Sequence, residues 1–256
     1  MRFSAVYNTD VGIKKKTNQD SLAIKIAETP DGQALFSLVC DGMGGLAKGE
    51  VASKEVICAF CNWFDQQFAE MVKNESFSEG ALKYQWLHLA VDMNEKIKAY
   101  GEQNGIMLGT TISAILMYRG RYYIVHLGDS RIYQMSSTVQ QLTADQTLVA
   151  REIAAGRLTP EQAETDSRRS VLLQCIGASP VVEPDFVAGD IQAGATYMIC
   201  SDGFRHKISN DEIMSKIGPA ACGTEAEMED GCKFLTELVK YRKETDNITV
   251  VLIKTE

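Results

Sequence analysis

Residues 110–135 read TTISAILMYRGRYYIVHLGDSRIYQM. Three runs rich in β-branched and aromatic residues, at 110–118, 122–127 and 131–135, are separated only by Arg119-Gly120-Arg121 and Gly128-Asp129-Ser130. Links that short cannot hold a crossover helix, so the runs are expected to pair as antiparallel hairpins. Further strands are expected at 2–8, 21–27 and 34–40, the last two joined by the tight turn Pro30-Asp31-Gly32, and again at 196–201 and 247–253. From residue 51 the period changes. Val51, Val56, Ile57, Phe60 and Phe64 mark one face of a long helix, and Leu82, Trp86, Leu87, Ala90, Val91, Asn94 and Ile97 mark a second. Capping-box patterns at Ser209–Glu212 and Thr224–Glu227 open helices over about 210–217 and 225–241, and Thr159-Pro160 with Gln162 opens a shorter one inside the polar stretch 145–180. Antiparallel sheets covered by amphipathic helices make this an α+β chain. No linker or repeat divides it, so residues 1–256 are read as one domain.

Composition narrows the function. The 34 acidic residues outnumber the 26 basic ones, for a formal net charge of -8, which argues against a nucleic-acid binder with a broad basic face. No secretory signal or long apolar span is visible, so a cytoplasmic protein without a membrane segment is expected. Seven cysteines lie mostly in apolar surroundings and suit buried thiols in a reducing compartment. Cys58 and Cys61 form a C-A-F-C pair within a helical pattern, but no second ligand pair follows at zinc-like spacing, and core packing explains both.

Four aspartates share an uncommon position. Asp41 follows SLVC, Asp129 follows IVHLG, Asp202 follows YMICS, and Asp246 precedes NITVVLI. One aspartate beside glycine is an ordinary turn signal. Four at the ends of apolar strands are different, because converging strand ends would put mutually repelling carboxylates in one cleft, where they hold raised pKa values or bind cations. An all-oxygen set favours Mg²⁺ or Mn²⁺ over zinc or copper, and a carboxylate bridging two such ions would suit phosphoryl hydrolysis.

In these motifs the chain resembles the metal-dependent Ser/Thr protein phosphatases of type 2C, above all their compact bacterial members. The match runs in order along nearly the whole chain. It comprises D10-x-G12-x-x-K15-x-x-N18-Q19-D20, V39-C40-D41-G42-M43-G44-G45 with G49-E50, G109-T110-T111, G128-D129-S130-R131-x-Y133, L142-T143-x-D145, C175-I176-G177, S201-D202-G203 and D246-N247-x-T249. The resemblance implies a four-layer α-β-β-α sandwich, two antiparallel sheets flanked by helices on both faces, with the site at one edge. It also implies that Asp41 bridges two central Mn²⁺ or Mg²⁺ ions, with Asp202 and Asp246 completing the first and the carbonyl of Gly42 the second. Asp129, shared with Asp202, would hold a third, weaker ion, and Asp20 would orient water; Asp41, Asp20 and Asp202 are thus the candidate catalytic residues. The implied reaction is hydrolysis of phosphoserine and phosphothreonine in proteins by a water bridging two ions. The implied partners are phosphorylated proteins and a cognate Ser/Thr kinase, met by a monomer. The alternatives are an impaired member acting as a regulatory or binding module, or a phosphoesterase for small molecules.

The departures from the family pattern are as informative. Lys15 stands where the family usually carries the arginine that grips substrate phosphate, and a point charge replaces a planar fork; Lys14 or Lys16 could serve instead. Gln19 replaces a common glutamate. Gln146-Thr147 and Cys175-Ile176-Gly177 also differ, outside the expected metal shell. The stretch 145–178 corresponds to the flap of bacterial relatives, and its Arg151, Arg157, Arg168 and Arg169 form either a solvated face or an attraction for acidic substrate segments. His126, near Asp129, and His206, after Asp202, are the histidines to weigh for catalysis; His88 sits in a helix. Gly44 and Gly45 are read as a tight turn. Met43 occupies a position that is histidine in many eukaryotic members, and a thioether donates no proton.

Overall fold

A computed structural model describes residues 1–43 and 48–256; the Gly44-Gly45 turn lies outside the described residues. Among the described residues, ten strands form two antiparallel sheets. The first is ordered β1 (Phe3–Asp10), β10 (Ile248–Thr255), β9 (Thr196–Cys200), β6 (Arg131–Met135) and β7 (Val139–Gln141). The second is ordered β2 (Ser21–Thr29), β3 (Gly32–Cys40), β4 (Ile112–Tyr118), β5 (Arg121–Leu127) and β8 (Asp185–Asp190). The expected β4–β5 hairpin is present: Tyr118 pairs with Arg121, and Arg119 and Gly120 both take positive φ, 51° and 75°. That pair of left-handed residues is what a two-residue turn matched to strand twist requires.

Side-chain alternation sorts the layers. Leu35, Val39, Ile115, Ile124, Ile199, Val251 and Ile253 meet between the sheets. Alternate residues of the second sheet, among them Phe36, Leu38, Leu116 and Val125, pack outward on α1 (Gly49–Trp63) and α3 (Glu79–Asn104). On the opposite face Val250, Leu252 and Met198 pack on α7 (Asn210–Ile217) and α8 (Glu225–Tyr241). The result is the four-layer α-β-β-α sandwich. Ser78, Thr159, Ser209 and Thr224 cap their helices, the last three in complete capping boxes.

Several short elements were not expected from sequence, among them β7, β8, α4 (Leu148–Ala154) and the single turn α6 (Asp202–Arg205). A π-helical turn at Phe64–Phe68 follows α1, and a helical turn α2 (Ala69–Lys73) completes that arm, while α5 (Pro160–Thr165) is the helix opened by Thr159. Val91 departs from the periodic reading, being 42% exposed, whereas Asn94 is buried. Asn94 uses its amide on the chain, accepting from Gly177 N at 2.8 Å and donating to Ser179 O at 3.1 Å.

Candidate metal centre

Antiparallel order brings the four aspartates together. The C-terminal ends of β1, β3, β5 and β9 and the N-terminal ends of β2, β4, β6 and β10 fall on one edge of the sandwich. A cleft of about 340 Å³ opens there, lined by Lys15, Asp41, Gly42, Met43, Thr111, Asp129, Ser170, Leu172, Asp202 and Asp246. A larger cavity, about 740 Å³, lies between the β2–β3 hairpin and the Phe64–Glu75 arm. It adjoins the opposite end of β3 from Asp41 and contains none of the expected site residues, so size does not identify the site here.

The local sequence explains how each carboxylate is held. The main chain of Asp41 is clamped by the two residues just before β4, its N–H donating to Thr111 Oγ1 at 2.9 Å and its carbonyl accepting from Thr111 N at 2.9 Å and Thr110 Oγ1 at 3.0 Å. Asp246 and Asn247 are pressed between two glycines. A Cβ on Gly12, which has φ +77°, would strike Asp246 O, and one on Gly203 would strike Asn247 O. Asn247 then fastens the first loop, donating to Val11 O and Thr17 O and accepting from Gln19 N at 2.9 Å. The Asp-Asn pair therefore combines a cleft carboxylate with a staple for residues 11–19. Glu244 receives the N–H groups of Thr245 and Asp246 at 2.7 and 3.1 Å. The carbonyl of Asp129 accepts from Arg205 at 3.1 Å, and Arg131 forks onto Asp145 with two bonds of 2.7 Å.

Electrostatics mark the cluster as strained without a cation. Removal from water, followed by the fields of Asp20, Asp202, Asp129 and Asp246, pushes Asp41 well above the usual carboxylate range. Asp129 is pushed up to about 7, mainly by burial and then by Asp202, with Arg205 opposing. Asp20 is also pushed up to about 7, by burial first and with Asp202 and Asp246 adding to it, against a 2.9 Å bond from Ser201 Oγ. Asp20 Oδ1 and Asp202 Oδ1 are buried without a hydrogen-bond partner. Burial lowers the Lys15 ammonium, but its 2.8 Å pairing with Asp246 and the fields of Asp41 and Asp202 outweigh this and leave it raised.

These residues fit hard divalent cations. The donors are all oxygen, two buried carboxylate oxygens lack partners, and the cleft disfavours its own negative charge. Among the described residues no group of three or more His, Cys, Asp or Glu side chains is assembled as a ready-made metal cage. Gly42 has no space for a side chain, since a Cβ would lie 2.5 Å from both Gln19 O and Gly49 O. Gly42→Ala must therefore displace backbone. We expect a loss of roughly 1–3 kcal/mol of stability in denaturant melts, with weaker Mn²⁺ binding by calorimetry.

Of the three lysines after β1, Lys15 alone lines the cleft, and Lys14 and Lys16 are exposed. Gln19 is buried and does not line the cleft, its amide lying 3.3 Å from Glu50. Met43 fills space against the core and lines the cleft. His126 is fully buried and does not reach the cleft. His206 lies 3.6 Å from Asp202 and 3.7 Å from Glu244, beyond hydrogen-bond range of both. On the flap Arg157 and Arg168 are bound internally by Glu152 and Asp166. Cys40 faces the helical layer, and all seven cysteines are free thiols. Sequence reasoning assigned no role to Thr111, Ser170, Leu172, Arg205 or Glu244. Thr111 carried a signal in the G-T-T motif, but its contact to Asp41 is visible only in three dimensions.

The protein phosphatase 2C family model matches residues 13–239. A serine/threonine phosphatase, stp, of Listeria monocytogenes is 30% identical over 256 residues, covering 98% of this chain and 95% of that protein. The solved structure of the Streptococcus agalactiae serine/threonine phosphatase superposes with a TM-score of 0.84 at 28% identity, over 100% of both chains. The catalytic domain of PstP of Mycobacterium tuberculosis, solved in complex with two manganese ions, superposes at 0.78 with 29% identity over 99% of each chain.

Proposed function

The chain belongs to the protein phosphatase 2C family, and on that premise we propose that Asp41, Gly42, Asp202 and Asp246 hold two central Mn²⁺ or Mg²⁺ ions. It is a metal-dependent protein serine/threonine phosphatase, hydrolysing phosphoserine and phosphothreonine monoesters. The observation that supports this placement best is the convergence of Asp41, Asp129, Asp202 and Asp246 on one cleft from four separate strand ends. Asp129 with Asp202 would take a third, weaker ion. When bound, the ions supply an activated water for attack on phosphorus and neutralise charge on the phosphoryl oxygens.

The chain's own residues do the rest. Asp41 would serve both central ions, its peptide fixed by Thr110 and Thr111 and its carboxylate left free of that clamp. Asp20, with one oxygen held by Ser201, keeps the other free to orient water. Lys15, which lines the cleft 2.8 Å from Asp246, would meet the substrate phosphoryl group. Met43 shapes the cleft wall and donates no proton, so the leaving hydroxyl would be protonated by water or another residue. Residues 1–256 act as one catalytic domain whose flap, about 145–178, borders the cleft through Ser170 and Leu172. Phosphorylated proteins and a Ser/Thr kinase acting on the same sites are the partners, met by a monomer in the cytoplasm. Among the described residues no helix is long and apolar enough to cross a membrane.

Release of inorganic phosphate from a phosphothreonine peptide with Mn²⁺ tests the function, and absence of release at any Mn²⁺ concentration would refute it. For Lys15→Ala we expect KM for the peptide to rise about 10-fold with kcat little changed, the loss of one charge-assisted bond. An unchanged KM removes Lys15 from the phosphate site. Met43→Leu should keep kcat within about twofold and leave the pH–rate profile in place, because a volume-conserving swap alters no proton donor. Steady-state kinetics across pH 6–9 read both.

A further inference from the structure

The buried imidazole of His126 has no part in the chemistry above, yet each of its ring nitrogens faces a polar partner. It lies opposite Ser113 in the β4–β5 register, with Nδ1 2.9 Å from Ser113 Oγ and Nε2 3.0 Å from Ala144 O. Ser113 Oγ lies 3.0 Å from Ser130 O, next to Asp129. Ser130 Oγ lies 3.0 Å from Thr111 Oγ1, which accepts the Asp41 N–H at 2.9 Å. A series of close polar contacts, joined through Ser130 itself, thus runs from the root of the flap to the main chain of Asp41, passing the residue after Asp129. At the flap root, Asp145 follows Ala144 and holds Arg131, while Arg205 sits between Asp145 (3.5 Å) and the Asp129 carbonyl.

Counting protons shows that the path is selective. The carbonyls of Ala144 and Ser130 only accept, the Ser113 hydroxyl has one proton, and a neutral imidazole has one N–H. The three links from Ala144 to the ring, from the ring to Ser113 and from Ser113 to Ser130 then share two protons. Burial favours the neutral ring by lowering its pKa. The tautomer with N–H on Nε2 serves the flap root. The tautomer with N–H on Nδ1 frees the Ser113 proton for Ser130 and turns a lone pair toward Ala144.

We propose that His126 is a positioning residue that ties the flap root to the Asp41 and Asp129 loops through Ser113, so that flap attachment and the placement of those carboxylates are set together. This rests on the reading of Asp41 and Asp129 as metal ligands. The test compares Ser113→Ala, His126→Asn and His126→Gln by Mn²⁺ calorimetry and by kcat and KM on a phosphothreonine peptide. An asparagine amide can replace Nδ1 and keep the Ser113 link; a glutamine amide can replace Nε2 and keep the Ala144 link.

Ser113→Ala and His126→Gln are expected to weaken Mn²⁺ binding and lower kcat, each about 10-fold, with KM little changed. His126→Asn is expected to keep kcat within twofold while raising KM, because only the flap root is released. The Ser113→Ala/His126→Gln pair should be no worse than its worse single member, since both cut one path. Ser113→Ala removes a single hydroxyl, so it carries the test if the histidine variants fail to fold. Unchanged Mn²⁺ affinity and kcat in Ser113→Ala, or additive losses in the pair, overturn the proposal. Failure of the unmodified protein to bind Mn²⁺ would instead overturn the metal-centre reading.

Discussion

Asp41→Asn (D41N) is expected to remove turnover while making the metal-free protein more stable. The asparagine keeps the shape, and the clamp on residue 41 is made by its peptide N–H and carbonyl, so Thr110 and Thr111 hold it as before. What disappears is the charge that would be shared between two cations. Removing an outer partner of a metal ligand costs roughly 10–100-fold, so removing the shared ligand should exceed about 100-fold in kcat. The stability change has the opposite sign. The fold holds Asp41 above its ordinary pKa, so at neutral pH the ionised carboxylate works against folding. D41N deletes that penalty, and the metal-free variant should melt higher than the metal-free parent at pH 8. Full activity in D41N, or an unchanged melting temperature, contradicts these roles for Asp41.

The second large effect concerns removal of the ions. Chelation should abolish activity, Mn²⁺ should restore it, and the stripped protein should lose stability as pH rises. Asp20 and Asp129 sit at about 7 in the fold against 3.8 in the open chain. Between those values the folded state holds more protons than the unfolded one, so stability is greatest at the acid end and falls as pH climbs through 7. The slope is at most about 1.4 kcal/mol per pH unit for each full proton. Metal-free melting temperatures should therefore drop from pH 5.5 to pH 7.5, and saturating Mn²⁺ should flatten the dependence. Calorimetry at pH 6.5 in buffers of different ionisation enthalpy should also register protons released on Mn²⁺ binding. A metal-free protein equally stable at both pH values would show that these carboxylates are not strained.

The sheets were largely legible in the sequence because their central strands are continuous apolar runs with short links, and β6, α7 and α8 fall on their expected bounds. The missed elements carry weak signals. β8 is a half-exposed edge strand with acidic ends, β7 has three residues, and α6 is one turn beginning at a cleft aspartate. The π-helical turn at Phe64–Phe68 was invisible because its aromatic residues also satisfy ordinary helical spacing. At the site, the aspartates stood out because hard cations accept few side-chain types. Thr111, Arg205 and Glu244 did not, since main-chain contacts leave little trace in residue type. The three lysines could be told apart only once the turn after β1 had a shape.

The stapling of residues 11–19 by Asn247 has a consequence in time. Gln19 and Asn247 are separated by 228 positions, and β10, just after Asn247, occupies the gap between β1 and β9. A chain emerging from the ribosome can pair β2 to β5 early, since those contacts lie within its first half. It cannot close the first sheet or shape the Lys15 loop until β10 is free. The cleft therefore cannot work until β10 has left the tunnel, and a nascent chain cannot strip phosphate from its surroundings before then.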